Sequence, residues 1–272
     1  MKMVKKILLG ITVAATVMAF FGCKMVDDEK GAIDGKNNDY SVDFTNDTAD
    51  EYRAYKSTSL QHAGALVKVT FDNPNDCGYC KMGVIFDLEE KAGKRSFYIM
   101  GLAAATNKNF YVSRYTNVSD IQDKNFGANN EAADPAVEDI IWDQNAGNGI
   151  GSITRPALDN GKLTYYLYYK AFKNSGANPT QGYWEWGLYS FNDTQAEAAK
   201  EVIKDKYADL AALDAIKTHI KAGTIDNAFE LTATKAIPQN KVAVYAKIDA
   251  NKTLTGSWQY LDMYKEAEEI EE

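Results

Sequence analysis

The chain has 272 residues, 45% hydrophobic and 25% charged, with five prolines, a composition that excludes a disordered or fibrous polymer. Net charge is −8 and no basic cluster occurs after Lys6, so the surface repels a polyanion and nucleic acid is excluded as a partner. The 17 tyrosines and three cysteines are the residue types whose placement bears most on function.

Lys2, Lys5 and Lys6 form a cationic head, Ile7 to Phe21 is an uncharged apolar run of 15 residues, and Gly22-Cys23 closes it. That order is an export signal. The run is too short to cross the roughly 30 Å hydrocarbon layer with ease, so no permanent membrane helix is expected. With a cysteine directly after the small residue, the segment resembles the signal of bacterial lipoproteins. Phe20-Phe21 before Gly22 gives it the relaxed lipobox pattern of spirochaetes. The resemblance implies that residues 1–22 are removed and that Cys23 is acylated, palmitate being one such chain, as the first mature residue. An ordinary secretory signal with a chance cysteine is the plain alternative. The acidic surface disfavours anionic head groups, leaving the acyl chains as the attachment to membrane. Lys24, rather than Asp, after the cysteine favours the outer membrane under the sorting rule known for many lipoproteins. Residues 23–40 are polar and without apolar periodicity, which predicts a flexible tether.

Residues 41–192 read as a β domain. Ala65 to Phe71, Lys81 to Leu88, Arg95 to Leu102 and Asn109 to Tyr115 alternate apolar and polar residues and are rich in aromatic and branched side chains, which suits strands. Thr116 to Ile150 is irregular, with one helical turn expected at Pro135 to Ile141. Leu163 to Phe172 and Tyr183 to Phe191 form a long hairpin. In it Leu163, Tyr165, Leu167 and Tyr169 face one way and Tyr166, Tyr168 and Lys170 the other. In the partner strand Trp184, Trp186 and Leu188 oppose Tyr183, Glu185 and Tyr189. At Asp193 the period changes. Thr194 to Glu197 has capping-box spacing, and Ile203, Tyr207, Leu210, Leu213, Ile216 and Ile220 recur every three or four residues, predicting an amphipathic helical segment over 193–224 stopped at Gly223. Strands return over 225–262, and 263–272 is an acidic tail.

Four chemistries can be weighed on the residues. Cys77-Gly78-Tyr79-Cys80 resembles the CxxC centre of thioredoxin-like proteins, which implies a low-pKa thiolate at a helix start. A strand pattern follows Cys80 instead of a helix, so a small disulfide between Cys77 and Cys80, clipping a turn, is the expectation. Exported thiol–disulfide oxidoreduction is the alternative. Hydrolysis by a Ser–His–Asp site finds only His62 and His219 and no Gly-x-Ser-x-Gly elbow. Glycoside hydrolysis needs two carboxylates, and Glu185 stands alone in an aromatic setting. Asp72, Asn73, Asn75 and Asp76, or Asp120, Asp123 and Asn125, offer oxygen ligands that suit Ca²⁺, although turns are rich in Asp and Asn for backbone reasons alone, and no cofactor is expected.

The succession Gly83-Val84-Ile85-Phe86, Ser96-Phe97-Tyr98-Ile99 and Asn109 to Tyr115 is similar to the core strands of concanavalin-like β-sandwiches. The resemblance implies a jelly-roll sandwich, often carbohydrate-binding. The reading is therefore a mainly β, antiparallel sandwich with an added helical segment, held on the cell envelope by acyl chains. Its expected role is non-catalytic binding of a glycan, or of a host or envelope protein. The expected ligand platform is Tyr166, Tyr168, Lys170, Tyr183, Glu185 and Tyr189, since tyrosine offers a flat apolar face with a hydroxyl.

Overall fold

The computed structural model describes residues 33–36, 39–49, 51–104, 110–118, 137–143, 156–176, 180–190, 193–204, 218–231 and 240–264. Cys23 lies outside them, as do Asp120, Asp123 and Asn125. The strands are β1 Ile33–Lys36, β2 Asp39–Asn46, β3 Tyr52–His62, β4 Gly64–Phe71, β5 Lys81–Lys91, β6 Lys94–Ala103, β7 Tyr111–Val118 and β8 Val137–Asp143. They continue with β9 Leu163–Lys173, β10 Gln181–Ser190, β11 Thr218–Glu230, β12 Asn240–Ile248 and β13 Lys252–Tyr264. Among the described residues one helix, α1, spans Asp193–Lys204.

All strand pairs are antiparallel and fall into two sheets, β1-β2-β13-β4-β9-β10-β11 and β3-β12-β5-β6-β7-β8. The described residues form a mainly β, antiparallel sandwich with one helix. Its ends are paired in nested fashion, β2 with β13 and β3 with β12, as in jelly-roll sandwiches.

The period-two reading explains the core. In β4, Ala65, Val67, Val69 and Phe71 point inward, and in β9 Leu163, Tyr165, Leu167 and Tyr169 do the same. From the six-stranded sheet Met82, Val84, Phe86, Met100, Val112 and Val244 meet them in one buried cluster. Phe86 stacks on Tyr169 with ring centroids 4.9 Å apart and tilts against Trp184 at 5.2 Å. Two polar groups cross the interior: the Tyr165 hydroxyl donates to the Met82 carbonyl (2.7 Å) and the Trp258 indole N–H to the Gly83 carbonyl (2.9 Å). Each satisfies a group whose burial without a partner would cost stability.

The structure departs from the sequence reading in four places. Sheet structure begins at Ile33, inside the stretch expected to be tether, because Ile33 and Val42 are buried in the same core. Residues 137–143 are strand rather than a helical turn. β13 runs on to Tyr264, into the expected tail. The largest correction is the helical segment: α1 ends at Lys204, and residues 218–224 belong to β11. Residues 205–217 lie outside the described residues. Gly223 is therefore no helix stop. A Cβ there would come within 2.6 Å of the Trp186 ring across the β10–β11 pair, so the glycine makes room for the indole.

Candidate functional site

The β9–β10 hairpin fixes the outer face of the seven-stranded sheet row by row. Tyr189 pairs with Tyr166, Gly187 with Tyr168, Glu185 with Lys170 and Tyr183 with Phe172. Antiparallel register places all of these side chains on one face, as the alternation predicts.

Helix α1 then covers one end of that face. Ala196 and Ala199, three residues apart and so on one side of the helix, pack on Tyr166, Tyr168, Tyr189 and Leu66. Alanine allows the helix axis close to the rings. Tyr166 is 1% exposed, and Tyr168 and Tyr189 are fully buried, so the expectation that these three form an open platform is corrected: they are the footing of the helix. Lys170 and Glu185 are buried as well. The Tyr168 hydroxyl donates to Glu185 Oε2 at 3.5 Å, and the Lys170 ammonium lies 5.0 Å from the centre of the Phe172 ring.

Tyr183 alone of the six stays partly open. It stacks on Phe172 with ring centroids 5.4 Å apart and planes 15° from parallel, and both rings are half-buried. Phe172 belongs to the same hairpin strand but is not one of the six residues of the expected platform. Its even number puts it in line with Tyr166, Tyr168 and Lys170, and that parity is the signal which finds it. Beside the pair, Asn174 Nδ2 donates to Asn227 Oδ1 (3.0 Å), tying the hairpin end to β11.

A second aromatic face lies on the outside of the six-stranded sheet. Tyr55, Tyr245, Gly83, Gly101 and Tyr111 fall in one cross-strand row, next to Arg53, Lys247 and Lys81. Lys81 Nζ sits 4.4 Å from the Tyr111 ring centre. Burial pushes the Tyr111 hydroxyl well above the ordinary tyrosine range. These three tyrosine rings are less than a tenth exposed, so this face offers less open ring surface than the hairpin end.

The remaining sequence candidates are spread apart. His62 ends β3, buried edge-on to Tyr260 with centroids 5.8 Å apart, and His219 is in β11 rather than in a helix. Asp72 pairs with Lys162 (2.5 Å), and both side-chain ends of Asn73 bond the backbone of β13 at Thr253 and Thr255. Those oxygens serve the turn, and among the described residues no group of three or more His, Cys, Asp or Glu gathers as a metal site.

Cys77 and Cys80 are both buried thiols, so the disulfide expected between them is not formed in the structure. They close the turn between β4 and β5, where Cys80 N–H donates to the Cys77 carbonyl (3.2 Å) and Gly78 takes the left-handed φ of 64°. The Cys77 thiol donates to the Pro74 carbonyl (3.8 Å); its neighbour Cys80, together with burial, raises its pKa, and Cys77 in turn lowers that of Cys80. Asp249 N–H also donates to Cys80 Sγ (3.5 Å). The thioredoxin-like alternative needs an exposed first cysteine at a helix start. Here the first cysteine is fully buried and a strand follows the motif.

No protein-family model matches the chain, and no curated protein matches it. Among solved structures, the CBM2 module of Lactobacillus casei BL23 phage J-1 evolved Dit superposes with a TM-score of 0.30 and 8% identity. That superposition covers 81% of this chain and 66%, just under two thirds, of the other.

Proposed function

We propose that this chain is a lipid-anchored domain of the cell envelope that binds a glycan, without catalysis, on the Phe172–Tyr183 ring pair. The stacked, half-open rings at the end of the hairpin carry the proposal. They present a flat apolar patch to which a sugar ring can stack, and the Lys170 ammonium lies 5.0 Å from the centre of the Phe172 ring. Size decides between the two ligand classes considered. A stable protein interface buries on the order of 1,200 Å² or more, far beyond two rings, whereas a sugar residue fits them. Anchoring through an acylated Cys23, with outer-membrane placement, is supported by the signal sequence.

A glycan array probed with the full chain tests the reading, followed by binding measurements on variants. Losing one stacked ring should cost about 0.5–1.5 kcal/mol, roughly a two- to twelvefold loss of affinity, for Tyr183→Ala or Phe172→Ala. Tyr166→Ala should lower stability and leave the sugar affinity of the folded fraction unchanged. A bound glycan whose affinity is indifferent to Tyr183 and Phe172 would remove the site from consideration.

A further inference from the structure

We propose that Cys77 and Cys80 form a two-thiolate site for a soft monovalent cation of the Cu(I) and Ag(I) class. Both cysteines are fully buried in one turn, which the Cys80 N–H closes on the Cys77 carbonyl (3.2 Å), and the Cys77 thiol donates to the Pro74 carbonyl (3.8 Å). Asn73 ties the turn to β13, and Tyr79 N–H donates to Asp249 Oδ2 (2.9 Å). The Cys80 carbonyl takes the N–H of Ala104 (2.9 Å). The main-chain N–H of Asp249 is aimed at Cys80 Sγ, and the Lys247 ammonium lies 3.5 Å from Asp249 Oδ1 while pairing with Glu51.

The Asp249 N–H and the Lys247 ammonium favour a negatively charged Cys80 sulfur while the Asp249 carboxylate opposes it; a neutral disulfide sulfur, a poor acceptor, gains little from the N–H. The number of ligands selects the ion. Zinc takes four ligands in a structural site, and no group of three or more His, Cys, Asp or Glu gathers among the described residues. Two thiolates suit a d¹⁰ monovalent ion, which prefers soft sulfur and tolerates linear coordination. Loading breaks both S–H bonds, forms two sulfur–metal bonds and releases two protons to solvent. No electron moves, and the site changes net charge by one negative unit. Entry is through the turn itself, where Gly78 is partly open and Tyr79 is 57% exposed.

Silver(I) is the redox-inert probe. The full chain, reduced and then freed of reductant, is titrated with silver nitrate and followed by native mass spectrometry and proton release. The Cys77→Ser/Cys80→Ser double variant serves as the baseline, which also subtracts any thiol at residue 23. We expect one additional ion per chain with two protons released, at least tenfold weaker binding in either single variant, and protection of both thiols of the unaltered chain from maleimide. The protection assay needs no variant to fold. Equal binding by the double variant, unprotected thiols in the loaded chain, or a protein isolated under alkylation with Cys77 and Cys80 already joined as a disulfide would each overturn the proposal.

Discussion

Single atoms join the two sheets, and their removal has calculable effects. The Tyr165 hydroxyl reaches across the interior to the Met82 carbonyl, with no exposed surface on the ring. Tyr165→Phe keeps the ring and deletes the donor, leaving a buried carbonyl with one partner fewer. A net hydrogen bond contributes about 0.5–1.5 kcal/mol, and an orphaned buried group raises the cost toward about 3 kcal/mol. Denaturant melts should show a loss within that range with an unchanged slope. Gly223 makes the complementary case. Gly223→Ala drives a methyl to within 2.6 Å of the Trp186 ring, so overpacking should destabilise by about 1–3 kcal/mol in the same assay. An unchanged midpoint would show that the indole has room to turn aside.

At the scale of elements, burial on one face made most strands legible, and competition between periods hid the rest. β4, β5, β6, β7, β9 and β10 were readable because inward residues alternate cleanly with outward ones, as Val67 and Val69 do with Lys68 and Thr70. Residues 203–220 satisfy a helical period as well, and Ile220, which continues that stripe, belongs to β11. The burial of the expected tyrosine platform has a related reason. Alternation tells which residues share a face, but not that α1 folds back to cover Tyr166, Tyr168 and Tyr189.

The edge near β12 carries a pH dependence that local sequence could not announce, since Lys247 meets Glu51 and Arg53 only through strand pairing. Burial raises the Glu51 carboxyl, but Lys247 and Arg53 outweigh it and hold the group below its ordinary range. A carboxyl with a depressed folded pKa stabilises above its unfolded value, about 4.3, and that stability is lost as pH falls through the folded value. Glu51→Gln should therefore be less stable than the parent at neutral pH, modestly because the site is partly open to solvent. The gap should close in acid. A gap that persisted well below that range would mean packing rather than charge.

For the molecule as a whole, stability rests on closure between distant parts of the chain. β13 stands between β2 and β4, more than 180 residues from either, and brings Leu254, Trp258 and Tyr260 into the core. Without it β2 loses its partner on one side and β4 becomes an edge strand. The Trp258 bond to Gly83 disappears with it, and so does the purchase of Asn73 on Thr253 and Thr255. A chain stopped at Asp249 retains β1 to β12 but cannot restore any of these contacts locally. It should show no cooperative thermal transition and should be digested rapidly by protease. A chain stopped at Tyr264 keeps the whole of β13 and should melt as the parent does. The pair of truncations separates closure from tail effects. Cooperative melting of the shorter chain at the parental midpoint would mean that β4, β9 and β10 pack against the six-stranded sheet without the terminal strand, and that the nested pairing is an ornament of the fold rather than its lock.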